Sequence, residues 1–350
     1  MQAGNPGIIF MQKVLVTGFG FMGGLHAQVY SALPHARVAV IVDQDPKRAV
    51  KKAKALGLKV PVFADIDEAL RSIEVDAVDI CVPTTLHPFY IKKALAAGKH
   101  VFCEKPFATT AAEARSLAAA AGRAGVKMQI GHCIRFWPEY QALERYRKEK
   151  RGGRLLSLSL YRRSARPGYS VGDWVNNEEL SGGGAFDLHI HDTDYVHHLL
   201  GRPRAVTSVG TKDAFGWSHL FTTYHFDDVA VTAEGGWNYP ARWGFQMGFE
   251  AVFEHAVIEF DSRANPTLMI TEKSRQRRPL AFAQPRVGNS NRGSGNISSL
   301  GGYYNELRYF VECIERDRHP EVATPGQAAE SVRTVRAEIK SAATGRTVRL

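Results

Sequence analysis

Three segments carry residues whose types and spacing could do chemistry. The first is Gly18-Phe19-Gly20-Phe21-Met22-Gly23, which follows a short apolar run and precedes a helix-like stretch. A glycine loop in that position can receive a pyrophosphate on the amides and dipole of a helix N-terminus. Gly18 would permit the tight turn, Gly20 the approach of backbone to phosphate, and Gly23 the close packing of helix on strand. Asp43 ends the next apolar run, where an acid binds ribose hydroxyls and repels a 2′-phosphate, so NAD is expected over NADP. Lys47 and Arg48 follow closely and weigh toward a phosphate. Asp43 could equally cap a helix that starts at Pro46.

The second segment is a pair of strand ends, Pro83-Thr84-Thr85-Leu86-His87-Pro88 and Glu104-Lys105-Pro106. Open α/β sheets bind ligands at the carboxyl ends of their strands. Lys105 reads either as an ordinary loop lysine or, flanked by an acid and a proline, as a cation positioned beside a nicotinamide by Glu104. Thr84, Thr85, His87 and Glu104 are the remaining candidates to line a cofactor there.

The third segment runs Gly182-Gly183-Gly184-Ala185-Phe186-Asp187-Leu188-His189-Ile190-His191-Asp192-Thr193-Asp194. On a helix from Ala185 to Leu200, Asp187, His191 and Asp194 would share one face. A carboxylate beside an imidazole suits acid–base work, because it fixes the tautomer and stabilises the protonated ring. A divalent cation is the rival reading of the same residues, but hydride transfer needs none, and no metal is expected. His189, His197 and His198 would fall on other faces, as packing or surface residues. His132 and Arg135, in the stretch that follows Gly131, read equally as site residues and as partners for buried backbone.

The elements that must position these groups follow from the pattern of apolar runs. From Lys13 to about Gly131, the runs KVLVT, VAVIV, VPVF, AVDICV, HVFCE and KMQI alternate with Ala-, Lys- and Arg-rich stretches at Pro46–Leu56, Pro88–Ala97 and Ala111–Ala124. That alternation predicts a doubly wound parallel sheet over residues 11–131. Residues 132–350 change pattern and form a second domain. With 350 residues, 44% of them hydrophobic, the chain can bury two cores. Residues Met1–Phe10 lack the features of a signal peptide, and no apolar stretch spans a bilayer, so a cytoplasmic protein without a membrane partner is expected. The net charge of +10 collects around Arg145–Arg166 and Lys273–Arg278 without a nucleic-acid motif, and reads as a solvated face. Cys81, Cys103, Cys133 and Cys313 have no zinc or redox spacing and read as free thiols.

Taken together, the glycine loop with His26, Asp43, PTTLHP, Glu104-Lys105-Pro106, GHCIRF, GGGAFDLHIHDTD and the ending PGQAAESVRTVRAEIKSAATGRTVRL resemble the Gfo/Idh/MocA oxidoreductases. The resemblance covers nearly the whole chain from Lys13. It implies a Rossmann domain followed by an α+β domain with a large, mostly antiparallel open sheet, often buried in a homodimer or homotetramer. The runs RLLSLSLY, AVTSVGT, LFTTYHF, VAVTAEGGW and FQMGFEAVF agree, with helices expected at Tyr303–Arg316 and Gly326–Ala343. By matching motif, Lys105, Asp187 and His191 correspond to the catalytic residues of polyol dehydrogenases, and Asp194 to a substrate contact. The implied mechanism has His191 accept a hydroxyl proton, Asp187 orient it, and Lys105 hydrogen-bond the same oxygen or itself donate the proton. Tyr161, Arg163, Trp174, Trp237 and Trp243 are candidates for shaping a carbohydrate or polyol pocket, although aromatics in strands are often core. The Gly-, Ser- and Asn-rich segment from Pro285 to Gly302 reads as a mobile loop. A glycosidase acting by transient oxidation on bound NAD, and a non-catalytic NAD sensor, are the competing functions.

Overall fold

Strands that are apolar on both faces need cover on both faces, and the first half of the chain supplies it with crossover helices. The structure, a computed structural model, describes residues 11–168, 170–285, 287 and 300–350. Its first sheet contains β1 (Gln12–Thr17), β2 (Ala36–Val42), β3 (Val62–Phe63), β4 (Ala77–Ile80), β5 (His100–Glu104) and β6 (Met128–Gly131). They lie in the order β3-β2-β1-β4-β5-β6, and each pairing is parallel. β3 is shorter than the apolar run because Pro61 has no amide to offer the ladder.

The helices between these strands are α1 (Phe21–Ala32), α2 (Pro46–Ala55), α3 (Ile66–Ser72), α4 (His87–Ala96) and α5 (Ala111–Ala124). Their ends carry local signals. Thr110 caps α5 through the Glu113 amide, and Gly125 closes it in the left-handed conformation. α2 is capped by Asp45, which accepts from the Arg48 amide, with Pro46 at the first position. Asp43 is therefore not the cap and is left for another task.

The second sheet contains β7 (Leu155–Ala165), β8 (Ala205–Asp213), β9 (Gly216–His225), β10 (Ala230–Tyr239), β11 (Phe245–Phe253), β12 (Ala256–Asp261), β13 (Leu268–Glu272), β14 (Arg275–Pro279) and β15 (Val348–Arg349). Its order is β14-β13-β12-β11-β7-β10-β9-β8-β15, and only β7 with β10 is parallel. Alternation along β7 buries Leu158, Leu160, Arg162 and Ser164 and turns Tyr161 and Arg163 to the opposite face. The buried face packs against α6 (Pro138–Lys148) and α8 (Ile190–Leu200), a short α7 (Glu178–Ser181) preceding the latter.

The C-terminal helices, α9 (Gly301–Glu315) and α10 (Pro325–Thr344), pack on the first sheet's helices as well as the second domain. Leu307, Phe310 and Val311 of α9 share a core with Val14, Tyr30 and Phe102, while Val332 and Val335 of α10 share one with Leu15 and Leu117. Placing both helices with the second domain, as the order of segments suggests, misses this packing. No helix among the described residues is long and apolar enough to cross a membrane. All four cysteines are free; Cys103, Cys133 and Cys313 are buried, while Cys81 is partly open to the cleft beside the glycine loop. Most of the Pro285–Gly302 segment, like Met1–Phe10, lies outside the described residues.

Candidate active site

The glycine loop has the form its spacing predicts. Gly18 has φ +80°, and a Cβ there would meet the Cys81 carbonyl oxygen at 2.5 Å. A Cβ on Gly23 would lie 2.2 Å from the Gly18 carbonyl oxygen, so helix and strand could not close up. Gly20, at the N-terminal end of α1, faces open space, which leaves its backbone free to approach a phosphate.

Asp43 sits at the end of β2 in the same cleft, 5% exposed. Its Oδ2 accepts from the Phe19 amide at 2.7 Å and its Oδ1 from the Asp45 amide at 2.9 Å. Arg48 Nη2 lies 2.8 and 2.7 Å from the two oxygens. The arginine that could have held a 2′-phosphate is therefore paired to the residue that repels one. These residues suit a dinucleotide ribose and pyrophosphate.

This cleft adjoins a second cavity, open at its mouth, and Phe21, Met22, Val82 and Trp174 wall both. Thr84, Glu104, Lys105, Asp187 and His191 line the second cavity. Lys105, just past β5, is brought to Asp187 of the second domain: its Nζ donates to the Asp187 carbonyl at 2.7 Å and to Oδ1 at 3.1 Å.

Asp187 and His191 do not share the geometry expected of them. Residues Ala185–His189 form a wide π turn, and the α-helix begins only at Ile190. Gly184 and Gly235 allow this turn to lie against β9 and β10, since a Cβ on either would sit 2.8 Å from the Ser218 carbonyl oxygen and 2.7 Å from His189 Nδ1 respectively. The extra residue per turn breaks the four-residue register, so Asp187 pairs with Lys105 while His191 Nδ1 has no hydrogen-bond partner. Burial pushes the His191 imidazole well below its usual range, and the nearby cations Lys105 and Arg162 add to that.

Several expected site residues are placed elsewhere. Asp194 is fully buried and does not reach the cavity as a substrate contact would. Its oxygens accept from Arg135 at 2.7 and 2.8 Å and from Ser331 at 2.8 Å, and despite burial Arg135 holds the carboxyl well below its usual range. Arg163 points to the outer face of the second sheet, where it pairs with Glu234. Its neighbour Arg162 is the one turned inward, bound to both oxygens of Asp192 at 3.0 Å and lining the cavity. Trp237 is 1% exposed and packs with Val175 and Leu188 behind the wall, whereas Trp174 does line both clefts.

Among the cofactor candidates, Thr85 is exposed, while His87 is buried between the carbonyls of Val82 and Pro106 at 3.0 Å and so supports the strand end rather than lining the cleft. Trp243, half-buried, packs its ring at a tilt against Tyr239, and the Tyr161 hydroxyl donates to the Phe260 carbonyl at 3.3 Å. Of the histidines near α8, His189 meets Thr222 and His197 meets Thr334, both as packing partners. Arg162, Asp192 and Asp79 escaped the sequence reading; Arg162 could have been found by the inward parity of β7.

The fold and the glycine-loop cleft define an NAD-binding oxidoreductase. Residues 12–132 match the oxidoreductase family with an NAD-binding Rossmann fold, and residues 140–259 match the GFO/IDH/MocA C-terminal domain. An uncharacterised oxidoreductase of Bacillus subtilis is 32% identical over 259 residues, spanning 72% of this chain and 71% of its own. The inositol 2-dehydrogenase of an Arthrobacter strain is 31% identical over 269 residues, 73% of this chain and 75% of its own. The crystal structure of GenD2 from gentamicin A biosynthesis, in complex with NAD, superposes with a TM-score of 0.81 at 26% identity, covering 100% of this chain and 99% of that one. The chain belongs to the GFO/IDH/MocA oxidoreductase family.

Proposed function

We propose that this protein is an NAD-dependent dehydrogenase of a sugar or polyol hydroxyl. The observation that carries the reading is the convergence of Lys105, Asp187 and His191 in one cavity that adjoins the glycine-loop cleft. The relatedness to an inositol 2-dehydrogenase supports a polyhydroxylated substrate.

A bound nicotinamide supplies the hydride acceptor. His191 takes the hydroxyl proton, because burial and its cationic neighbours keep the imidazole neutral and therefore able to accept. Lys105 donates a hydrogen bond to the same oxygen and stabilises the charge that develops there. Asp187 holds Lys105 in place through the two contacts at 2.7 and 3.1 Å, rather than orienting His191. Trp174 offers a flat apolar face to a ring. On the outer face of the second sheet, Val209 and Phe221 are 63% and 49% exposed, which supports pairing with a second copy of the chain, as light scattering would read.

The test is the change in nicotinamide absorbance when the protein meets NAD and a panel of inositols, aldoses, anhydrosugars and uronates, with Lys105→Ala as control. Turnover lost in the variant is expected. No turnover across the panel, or turnover of an aryl glycoside instead, removes the reading.

A further inference from the structure

Behind the reaction cavity runs a buried row of charge that the proposed proton chemistry leaves unused. His26, in α1, is fully buried. Its Nδ1 lies 2.9 Å from Asp79 Oδ2 and its Nε2 lies 3.1 Å from Glu104 Oε1. With Asp79 hydrogen-bonded at Nδ1 and a second carboxylate oxygen 3.1 Å from Nε2, the two negative charges favour the imidazolium. The contact to Glu104 is out of line as a hydrogen bond and acts through charge.

Glu104 is held on its other sides as well. Its Oε2 accepts from the Lys105 amide at 3.1 Å, and a Cβ on Gly131 would stand 3.1 Å from its carboxyl carbon. Glu104 lines the cavity shared with Lys105, Asp187 and His191.

Burial disfavours the charged forms of the remaining titratable groups packed on the row. Burial pushes the Cys81 thiol and the Tyr30 and Tyr303 hydroxyls up. Glu306 of α9 is fully buried with neither oxygen partnered, and burial pushes its carboxyl well up. Burial also opposes ionisation of Glu104, yet His26 and then Lys105 hold that carboxyl below its usual range. Arg162, which also lines the cavity, is matched by Asp192. Glu104 and Asp187 are therefore set against the ammonium of Lys105.

We propose that Glu104, held by His26 and Asp79, sets which oxidation state of the cofactor the cavity prefers. Oxidised nicotinamide is cationic and the reduced ring is neutral, so a carboxylate clamped in the wall favours the oxidised form. Asp79 and His26 are positioning residues that act through Glu104. The inference rests on NAD binding and not on the identity of the substrate.

The experiment is equilibrium titration of the full chain, freed of nucleotide, with NAD+ and with NADH, read by fluorescence. Glu104→Gln is expected to lower the ratio of the NADH to the NAD+ Kd by about 3- to 30-fold, the range for removing one partly screened charge nearby. His26→Asn removes the cation that keeps the buried Glu104 carboxyl ionised, so Glu104 takes up a proton and the ratio should shift the same way, the double variant going no further than the larger single one because both act through one charge. Glu104→Asp keeps the charge and should keep the ratio, which decides the matter if His26→Asn fails to fold. An unchanged ratio in folded Glu104→Gln, or a parallel loss of both affinities, overturns the proposal.

Discussion

Lys105 Nζ donates to both the main-chain carbonyl and the carboxylate of Asp187, and so ties the end of β5 to the π turn that opens α8. Asp187→Asn keeps the carbonyl contact but removes the charge that holds the ammonium. The expected outcome is a fall in kcat of about 10²-fold or more with little change in the NAD Kd. Stopped-flow absorbance with the best substrate of the panel checks it; an equal loss in nucleotide affinity would place Asp187 outside the chemistry.

His191 is held well below its usual range by burial, then by Lys105 and Arg162. A base with a lowered pKa stays deprotonated to more acid pH, so kcat/KM for oxidation should hold as pH falls through about 6.5 and decline only below it. His191→Asn should remove that acid limb along with most of the activity. A limb centred above pH 7 in the wild type would assign the proton to another group.

Arg135 and Asp194 form a fully buried pair joining the segment after β6 to α8, with Ser331 of α10 as a third partner. Arg135→Leu strands the carboxylate and should cost about 3–5 kcal/mol of stability. Denaturant unfolding followed by circular dichroism measures it. Asp194→Asn should likewise lower stability more than it raises KM, the reverse of what a substrate contact would do.

His132 is buried with neither ring nitrogen hydrogen-bonded, its Nδ1 lying 3.5 Å from Asp194 Oδ2, and burial outweighs that carboxylate to lower its pKa to about 4. The unfolded chain takes up that proton near pH 6.5 while the folded chain waits until about 4, so the unfolded state binds more protons in between. The contribution is complete above about pH 6.5 and is lost as pH falls toward 4. In His132→Phe, the dependence of Tm on pH over this window should flatten; an unchanged slope would show that other groups carry it.

Asp43 occupies Arg48 and bars a 2′-phosphate from one position. Asp43→Ser removes the repulsion and releases the guanidinium. The ratio of kcat/KM for NADP over NAD should rise by at least about 10-fold. No change in the ratio would mean that the adenosine ribose lies away from Asp43.

Much of the first domain is legible because its determinants are local. Runs apolar on both faces, the glycine loop and the acid at the end of β2 each follow from neighbours within a few residues. Lys105 and His191 are identifiable as candidates for the same reason, by a strand end and a motif. Expectations for the aromatic side chains of the second domain fare unevenly: Trp174 lines the clefts, yet Trp237 lies behind them.

What the amino-acid sequence determined by itself was therefore the order of elements, the fold class and the residue types available for chemistry. Only the tertiary structure decided which of those residues meet. The π turn moved Asp187 from His191 to Lys105, and packing brought Arg162 of β7 to Asp192 of α8. Arg135 claimed Asp194, and His26 came to lie between Asp79 and Glu104, residues 53 positions along the chain in the first case. Local propensity sets period and boundaries, but a buried charge is satisfied by whichever opposite charge the packing brings within about 3 Å, and that partner is remote in sequence.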